Sequence, residues 1–133
     1  MTRPSYINNL RDLLVADSTL TGLVSASSIN VSWKKKDIPF PCIVITQIGA
    51  RAVGRLGIAQ SDSGERMVDE NVTFRIDIAS RTSISNINDI ADAINDILMV
   101  EGYEKMGEID TFDENKNTYI RTLTFRLVDV YSY

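Results

Sequence analysis

Few side chains in this sequence are suited to chemistry, and their spacing decides what each can do. Asp89, Asp92 and Asp96 recur at three and four residues, which places them on one face of a helix. Carboxylates so arranged suggest a metal site, but the dense loop of alternating oxygen ligands that calcium requires is missing. A solvated helix face is the expected role, and a subunit interface comes second. Cys42, the single cysteine, lies in the apolar run Pro41-Cys-Ile-Val-Ile45, and histidine is absent from the whole sequence. A thiol in such a run, with no histidine to activate it, is expected to be buried and inert. The same absence removes the commonest general base and the usual zinc ligand. Glu108, Asp110, Asp113 and Glu114 cluster. Paired acid and base work there would need a pocket and a raised carboxyl pKa, so solvation of a turn is the simpler expectation.

The basic and glycine-containing stretches point outward. Lys34, Lys35 and Lys36 precede a proline-bounded strand, where a solvated edge or protection against edge pairing outweighs phosphate contact. Gly54-Arg-Leu-Gly57 lacks the Gly-Lys-Ser/Thr ending, and the following helix, of a phosphate loop. Arg51, Arg55 and Arg66 lie on a stretch without period from Gly49 to Met67. Arginines on such a loop suit planar recognition of carboxylates on a neighbour, with plain mobility as the alternative. No catalytic residue, cofactor or metal site is predicted, and the chain is expected not to be an enzyme.

The elements that would position these residues follow from periodicity. Ile7, Leu10, Leu13 and Leu14 recur at helical spacing, with Arg11 and Asp12 facing outward; Asp17, Ser18 and Thr19 then cap a further turn carrying Leu20, Leu23 and Val24, giving a broken helix. Ile29–Trp33 alternates as a short strand. Pro39 and Pro41 set an extended approach to Cys42–Ile48, whose β-branched run reads as a strand covered on both faces. After the long loop, Val72, Phe74, Ile76 and Ile78 point one way and Thr73, Arg75 and Asp77 the other, as in a half-buried strand. Spacing then switches to Ile87, Ile90, Ile94, Ile97 and Leu98, a helix that Gly102 closes. A weak strand at Glu108–Phe112, a polar turn at Asp113–Asn117 and a strong strand from Thr118 to Tyr131 form a closing hairpin. The expected class is α+β: a mixed, mainly antiparallel sheet with helices packed on one face and a long loop between the second and third strands.

Composition sets the outer bounds. A chain of 133 residues, 44% hydrophobic and 24% charged, is expected to form one domain over residues 1–133 with a real core. A net charge of -4 argues against a sequence-independent nucleic-acid binder, which draws affinity from concentrated Lys and Arg. No apolar run approaches bilayer length, so a soluble, unsecreted protein without a membrane partner is expected.

The layout of elements is itself informative. A helix with Leu10, Leu13 and Leu14, then Ile38-Pro-Phe-Pro-Cys-Ile-Val-Ile45, then Val72-Thr-Phe-Arg-Ile-Asp-Ile78 with Ser80-Arg81, then the Ile90, Ile94 and Leu98 helix and a closing hairpin, resembles the tail-terminator (tail-completion, tail-to-head joining) proteins of long-tailed bacteriophages. The resemblance implies a non-enzymatic subunit without cofactors, a homo-hexamer that closes into a ring on the tail tube. That ring would stop polymerisation of the tail tube protein and offer a docking face to the head-connector protein, with DNA passing through its lumen unbound. It would be assembled in the host cytoplasm and reside in the virion tail or neck. On that basis Arg51, Arg55, Leu56 and Arg66 are expected to contact the tail tube or a neighbouring subunit, and Asp113, Glu114, Asn115, Lys116 and Asn117 to serve the other face. A head-completion or neck adaptor subunit would share these features. A small cytosolic α+β enzyme or ligand-binding domain is the alternative of a different class, and absent histidine and phosphate loop count against it.

Overall fold

The computed structural model describes residues 5–31, 40–52, 67–81 and 84–132. Two short helices open it, α1 (Tyr6–Ala16) and α2 (Ser18–Leu23), and Asp17 separates them. The Asp17 carboxylate accepts the Leu20 backbone N–H at 2.9 Å, so one residue ends α1 and caps α2. This is the broken helix that the sequence implies. A 3-10 turn at Ala26–Ser28 leads into β1 (Ile29–Val31). Arg11 departs from its expected outward position. It is half-buried, and its guanidinium donates to the Ile29 carbonyl at 2.9 Å and the Ala26 carbonyl at 3.4 Å. The side chain thereby satisfies backbone acceptors at the junction of turn and strand.

The remaining elements are β2 (Cys42–Ala52), β3 (Met67–Ser80), α3 (Ile84–Val100), β4 (Glu104–Asp113) and β5 (Thr118–Ser132). They build a five-stranded open sheet in the order β1-β2-β3-β5-β4, with β1 parallel to β2 and every other pairing antiparallel. The fold is thus α+β with a mixed, mainly antiparallel sheet. All three helices cover one face. Register aligns Ile43 with Ile78, Ile45 with Ile76, Ile76 with Leu123 and Phe74 with Phe125, and these side chains meet Leu10, Leu14, Leu20, Ile90, Ile94 and Leu98 in one buried core. Fully buried side chains of this size each stabilise by roughly 1.5–3 kcal/mol.

The opposite face holds a smaller buried cluster of Cys42, Val44 and Ala79, with Ile120 packed against it. The start of β2 is therefore covered on both faces, as its unbroken apolar run predicts. Coverage extends to β3, where the expectation of a half-buried strand fails at Asp77, only 4% exposed. Its carboxylate accepts the Thr122 hydroxyl at 2.6 Å and lies 3.2 Å from Arg75 Nε. Partners of this kind are what allow a carboxylate to be buried at all.

Boundaries differ from the sequence reading in several places, and β3 itself starts at Met67, five residues before Val72. Residues 40–41 bend into β2 rather than running extended, with a cis Phe40–Pro41 peptide, and the Arg81 guanidinium lies 4.4 Å from the Phe40 ring centroid. β2 continues past a register shift between Gln47 and Gly49, so residues 49–52 are strand and not loop, because β3 still offers Thr73, Val72, Asn71 and Glu70 as pairing partners. β4 begins at Glu104, four residues before the expected start. The end of α3 matches expectation. Gly102 has φ 87°, its N–H reaches the Met99 carbonyl at 3.3 Å, and the Tyr103 N–H reaches the Leu98 carbonyl at 2.9 Å. These are the two bonds of a Schellman cap, and Tyr103 completes it by burying its ring 6.1 Å from that of Phe74. Among the described residues no helix is long and apolar enough to cross a membrane.

Candidate functional site

The side chains with chemical potential are dispersed rather than convergent. Asp89, Asp92 and Asp96 are all exposed on α3, and no group of three or more His, Cys, Asp or Glu among the described residues is placed to hold a metal ion. Cys42 is 1% exposed. Burial pushes its thiol up to about 11; a backbone hydrogen bond with Ala79 opposes that rise and the nearby charge of Asp77 adds to it. A thiol so held is neutral at physiological pH and a poor nucleophile.

The acidic cluster of the hairpin resolves into separate structural tasks. Glu108 takes an ion pair from Lys105 at 3.3 Å. Asp110 receives a two-pronged contact from Arg121, Nε to Oδ1 at 2.6 Å and Nη2 to Oδ2 at 3.2 Å. These hydrogen bonds, with a smaller charge attraction, hold the Asp110 carboxyl below its ordinary value and raise Arg121. A general acid needs the opposite shift. The third guanidinium nitrogen, Nη1, donates to the Asn88 side-chain oxygen at 2.7 Å, so Arg121 ties β4 and β5 to α3. Sequence reasoning passed over Arg121. The signal was parity, since Arg121 falls on the same side of β5 as Tyr119, Leu123 and Phe125, and a cation on a core-facing side requires a partner.

The hairpin tip is ordered by its own side chains. Asp113 Oδ1 accepts the backbone N–H groups of Asn115 at 3.1 Å and Lys116 at 3.3 Å, and Thr118 Oγ1 donates to the Lys116 carbonyl at 3.0 Å. Asn117 adopts φ 49°, a left-handed conformation that asparagine tolerates. The turn thus accounts for Asp113 and Asn117 by type, while Glu114, Asn115 and Lys116 stand exposed on a fixed knob. Beside it runs β4, the outer strand of the sheet, exposed along its length except at Asp113. Met106 is 51% exposed, Ile109 67% and Phe112 43%. They recur at every third residue, not at the period of two that puts strand side chains on one face, and Met106 sits at the register shift between Lys105 and Gly107, so the sequence does not mark them as one surface. Between α3 and the hairpin, Ile84, Ile87, Phe112 and Tyr119 line a hollow of about 230 Å³, with the last two rings 4.7 Å apart.

Of the other residues singled out by sequence, Arg51 lies within β2, its backbone paired with Asn71. Lys34, Lys35 and Lys36, Gly54 to Gly57, and Arg55, Leu56 and Arg66 fall outside the described residues.

The arrangement offers surfaces for assembly, and comparison with known proteins agrees with it. A chain in the virion of a native gene transfer agent particle has a similar fold, with a TM-score of 0.61 over 94% of this chain and 98% of that one, at 13% identity. No curated protein sequence matches the chain. The family model for tail completion protein gp17 matches residues 8–128, from α1 into β5. A match of that extent, over the elements that build both the core and the exposed hairpin, places the chain in the tail completion protein gp17 family.

Proposed function

We propose that this protein is a ring-forming subunit that closes the phage tail tube, ends its polymerisation and presents the face to which the head connector docks. Membership of a tail completion family makes it a structural component of the virion tail or neck. The ring, a homo-hexamer of one domain spanning residues 1–133, is the finer reading. β4 is the observation that supports it best: a ten-residue edge strand, open to solvent, with Met106, Ile109 and Phe112 uncovered. Such edges are templates for association, and in a closed ring each subunit meets the next through two different patches. Asp113, Glu114, Asn115, Lys116 and Asn117 form a rigid polar projection at the end of that edge, suited to one axial partner. Arg51, Arg55, Leu56 and Arg66 are assigned to the tail tube or a neighbouring copy. DNA passes through the lumen without specific binding, for which a chain of net charge -4 is suited, since repulsion lets a polyanion slide. The ring is built in the host cytoplasm.

Purified protein added to polymerising tail tube subunits tests this reading. Capped tubes of arrested length are expected, whereas tubes that grow unhindered would point instead to a head-side adaptor. The Arg55→Glu, Arg66→Glu double variant is expected to give overlong or headless tails, and unchanged tail length and head joining would remove the arginines from the assignment.

A further inference from the structure

The helical layer is chemically one-sided. Within residues 5–24 and 84–101 there is one cation, Arg11, against Asp12, Asp17, Asp89, Asp92, Asp96 and Glu101. Arg11 is committed to the carbonyls of Ile29 and Ala26, so it neutralises nothing on the outer surface. Between α1, α2 and the C-terminal half of α3 lies a groove of about 430 Å³, within the roughly 300–1,000 Å³ typical of clefts that take a ligand-sized group. Leu13, Ala93 and Ile97 are half-buried in it, and Val100, 85% exposed, stands at its rim. Asp96 and Glu101 flank the apolar surface, and among the described residues no ion pair or hydrogen bond reaches either carboxylate. Apart from Thr19, every lining side chain is apolar or acidic. The groove therefore selects a short segment that offers an apolar side chain next to a cation, with small neighbours that allow close approach.

The chain carries such a segment. Arg51-Ala-Val-Gly-Arg-Leu-Gly-Ile58 holds two arginines and no acid, and Gly54 and Gly57 bracket Arg55-Leu56. Lys34-Lys35-Lys36 is as basic but places no apolar residue between its charges, and a guanidinium matches carboxylates in a planar fork that an ammonium lacks. We propose that the groove between α1, α2 and α3 receives the Arg55-Leu56 segment of a second copy of this chain, with Leu56 over Ala93 and Ile97 and Arg55 between Asp96 and Glu101. This rests on the ring reading and gives it a heterologous contact: a basic-apolar patch of one subunit meets an acidic-apolar patch of the next.

Charge reversal with rescue tests it. Asp96→Lys with Glu101→Lys changes only exposed positions and should leave the fold intact by circular dichroism while weakening ring formation by roughly tenfold or more, read by light scattering and electron microscopy. Arg55→Glu should weaken it similarly, and a mixture of the two variants should associate again, because the unaltered segment of the first meets the unaltered groove of the second and the reversed segment of the second meets the reversed groove of the first. In parallel, Leu56→Cys protein is mixed with Val100→Cys protein and treated with a short bismaleimide; buried Cys42 stays silent. A cross-link between the two variants is expected. If the two single variants give no cross-link while a third protein carrying both substitutions cross-links within one chain, the segment occupies its own groove and the proposal is overturned. Rings that form normally from the Asp96→Lys, Glu101→Lys variant would also overturn it while leaving the ring reading intact, and if such rings failed to cap tubes, the groove would belong to the tail tube protein. A wild-type protein that stays monomeric with and without tail tubes would remove the ring reading and this contact with it.

Discussion

Replacing Gly102 by alanine and Gly22 by alanine makes the same chemical change at two solvent-exposed glycines, and the backbone predicts opposite signs. Neither position is crowded, since a Cβ built on either would meet nothing within 4 Å. Packing therefore drops out and conformation decides. Gly102 sits at φ 87° as the left-handed residue of the α3 cap. An L-residue in that region costs about 1–2 kcal/mol, offset by about 0.4–1 kcal/mol because alanine has less backbone freedom to lose from the unfolded chain. A net loss near 1 kcal/mol follows. Gly22 lies inside α2, where alanine is favoured by about 0.5–1 kcal/mol. Unfolding entropy for 133 residues is about 0.28 kcal/mol/K, so the expected shifts in Tm are a fall of about 3–5 °C for Gly102→Ala and a rise of about 2–4 °C for Gly22→Ala. Scanning calorimetry of both variants at one fixed concentration measures this, the concentration being held because association moves Tm. Gly102→Asn should recover part of the loss, since asparagine tolerates the left-handed region. Shifts of the same sign in both alanine variants, or a Gly102→Ala protein as stable as the wild type, would refute the assignment of the cap.

Two further predictions concern titratable groups. With its thiol near 11 instead of 9.0, Cys42 is about a hundredfold less ionised at pH 8 than an ordinary cysteine, and it is buried as well, so a thiol-reactive dye should modify it only on the timescale of unfolding. One equivalent of rapid reaction in the native protein, before guanidinium is added, would contradict its place in the second buried cluster. Asp110 is held below its ordinary 3.8 by Arg121, so its contribution is present above that value and is lost as pH falls through the lower folded value. Its side chain is 66% exposed, which limits the pair to about 0.2–1 kcal/mol, screened by salt. The gap in Tm between wild type and Asp110→Asn should be constant near neutrality and close in acid, and a gap that widened in acid would reverse the sign of the interaction.

How much of this was legible in the sequence depends on the range of the interaction concerned. The Asp17 cap, the Gly102 stop, the two-sided burial at Cys42–Ile45 and the alternation of Val72 to Ile78 are local patterns, and each appears where its residues imply. What the sequence did not reveal depends on pairing between distant segments. Asp77 is buried because Thr122, on another strand, reaches it; Arg11 turns inward because the carbonyls of Ala26 and Ile29 need a donor; residues 49–52 are strand because β3 is long enough to pair with them. The exposed trio on β4 was hidden for a related reason. Its significance lies in being the last strand of the sheet, and strand order is not written in any one segment.

Charge distribution carries the argument for assembly one step further. The helical stretches take one of the 14 cationic residues but six of the 18 anionic ones, so the layer that covers one face of the sheet carries a net -5 and the remainder of the chain +1, which together give the -4 of the whole. Two copies meeting through that layer about a two-fold axis would bring carboxylates against carboxylates, with no lysine and one already engaged arginine to relieve them. Like-charge juxtaposition across an interface costs several kcal/mol, whereas the same layer set against a basic segment gains register and association rate. The distribution thus disfavours the isologous dimer, the commonest closed assembly, and favours contacts in which one patch meets a different patch on the next copy. Such contacts close into a ring when the rotation between neighbours permits it and run on as a filament when it does not. β4 meets a further copy's sheet only if its guarding charges, Glu104, Lys105 and Glu108, are matched; Arg126 and Lys105 already occupy Glu104 and Glu108 within the subunit, which leaves the apolar Met106, Ile109 and Phe112 as the part of that edge still to be covered.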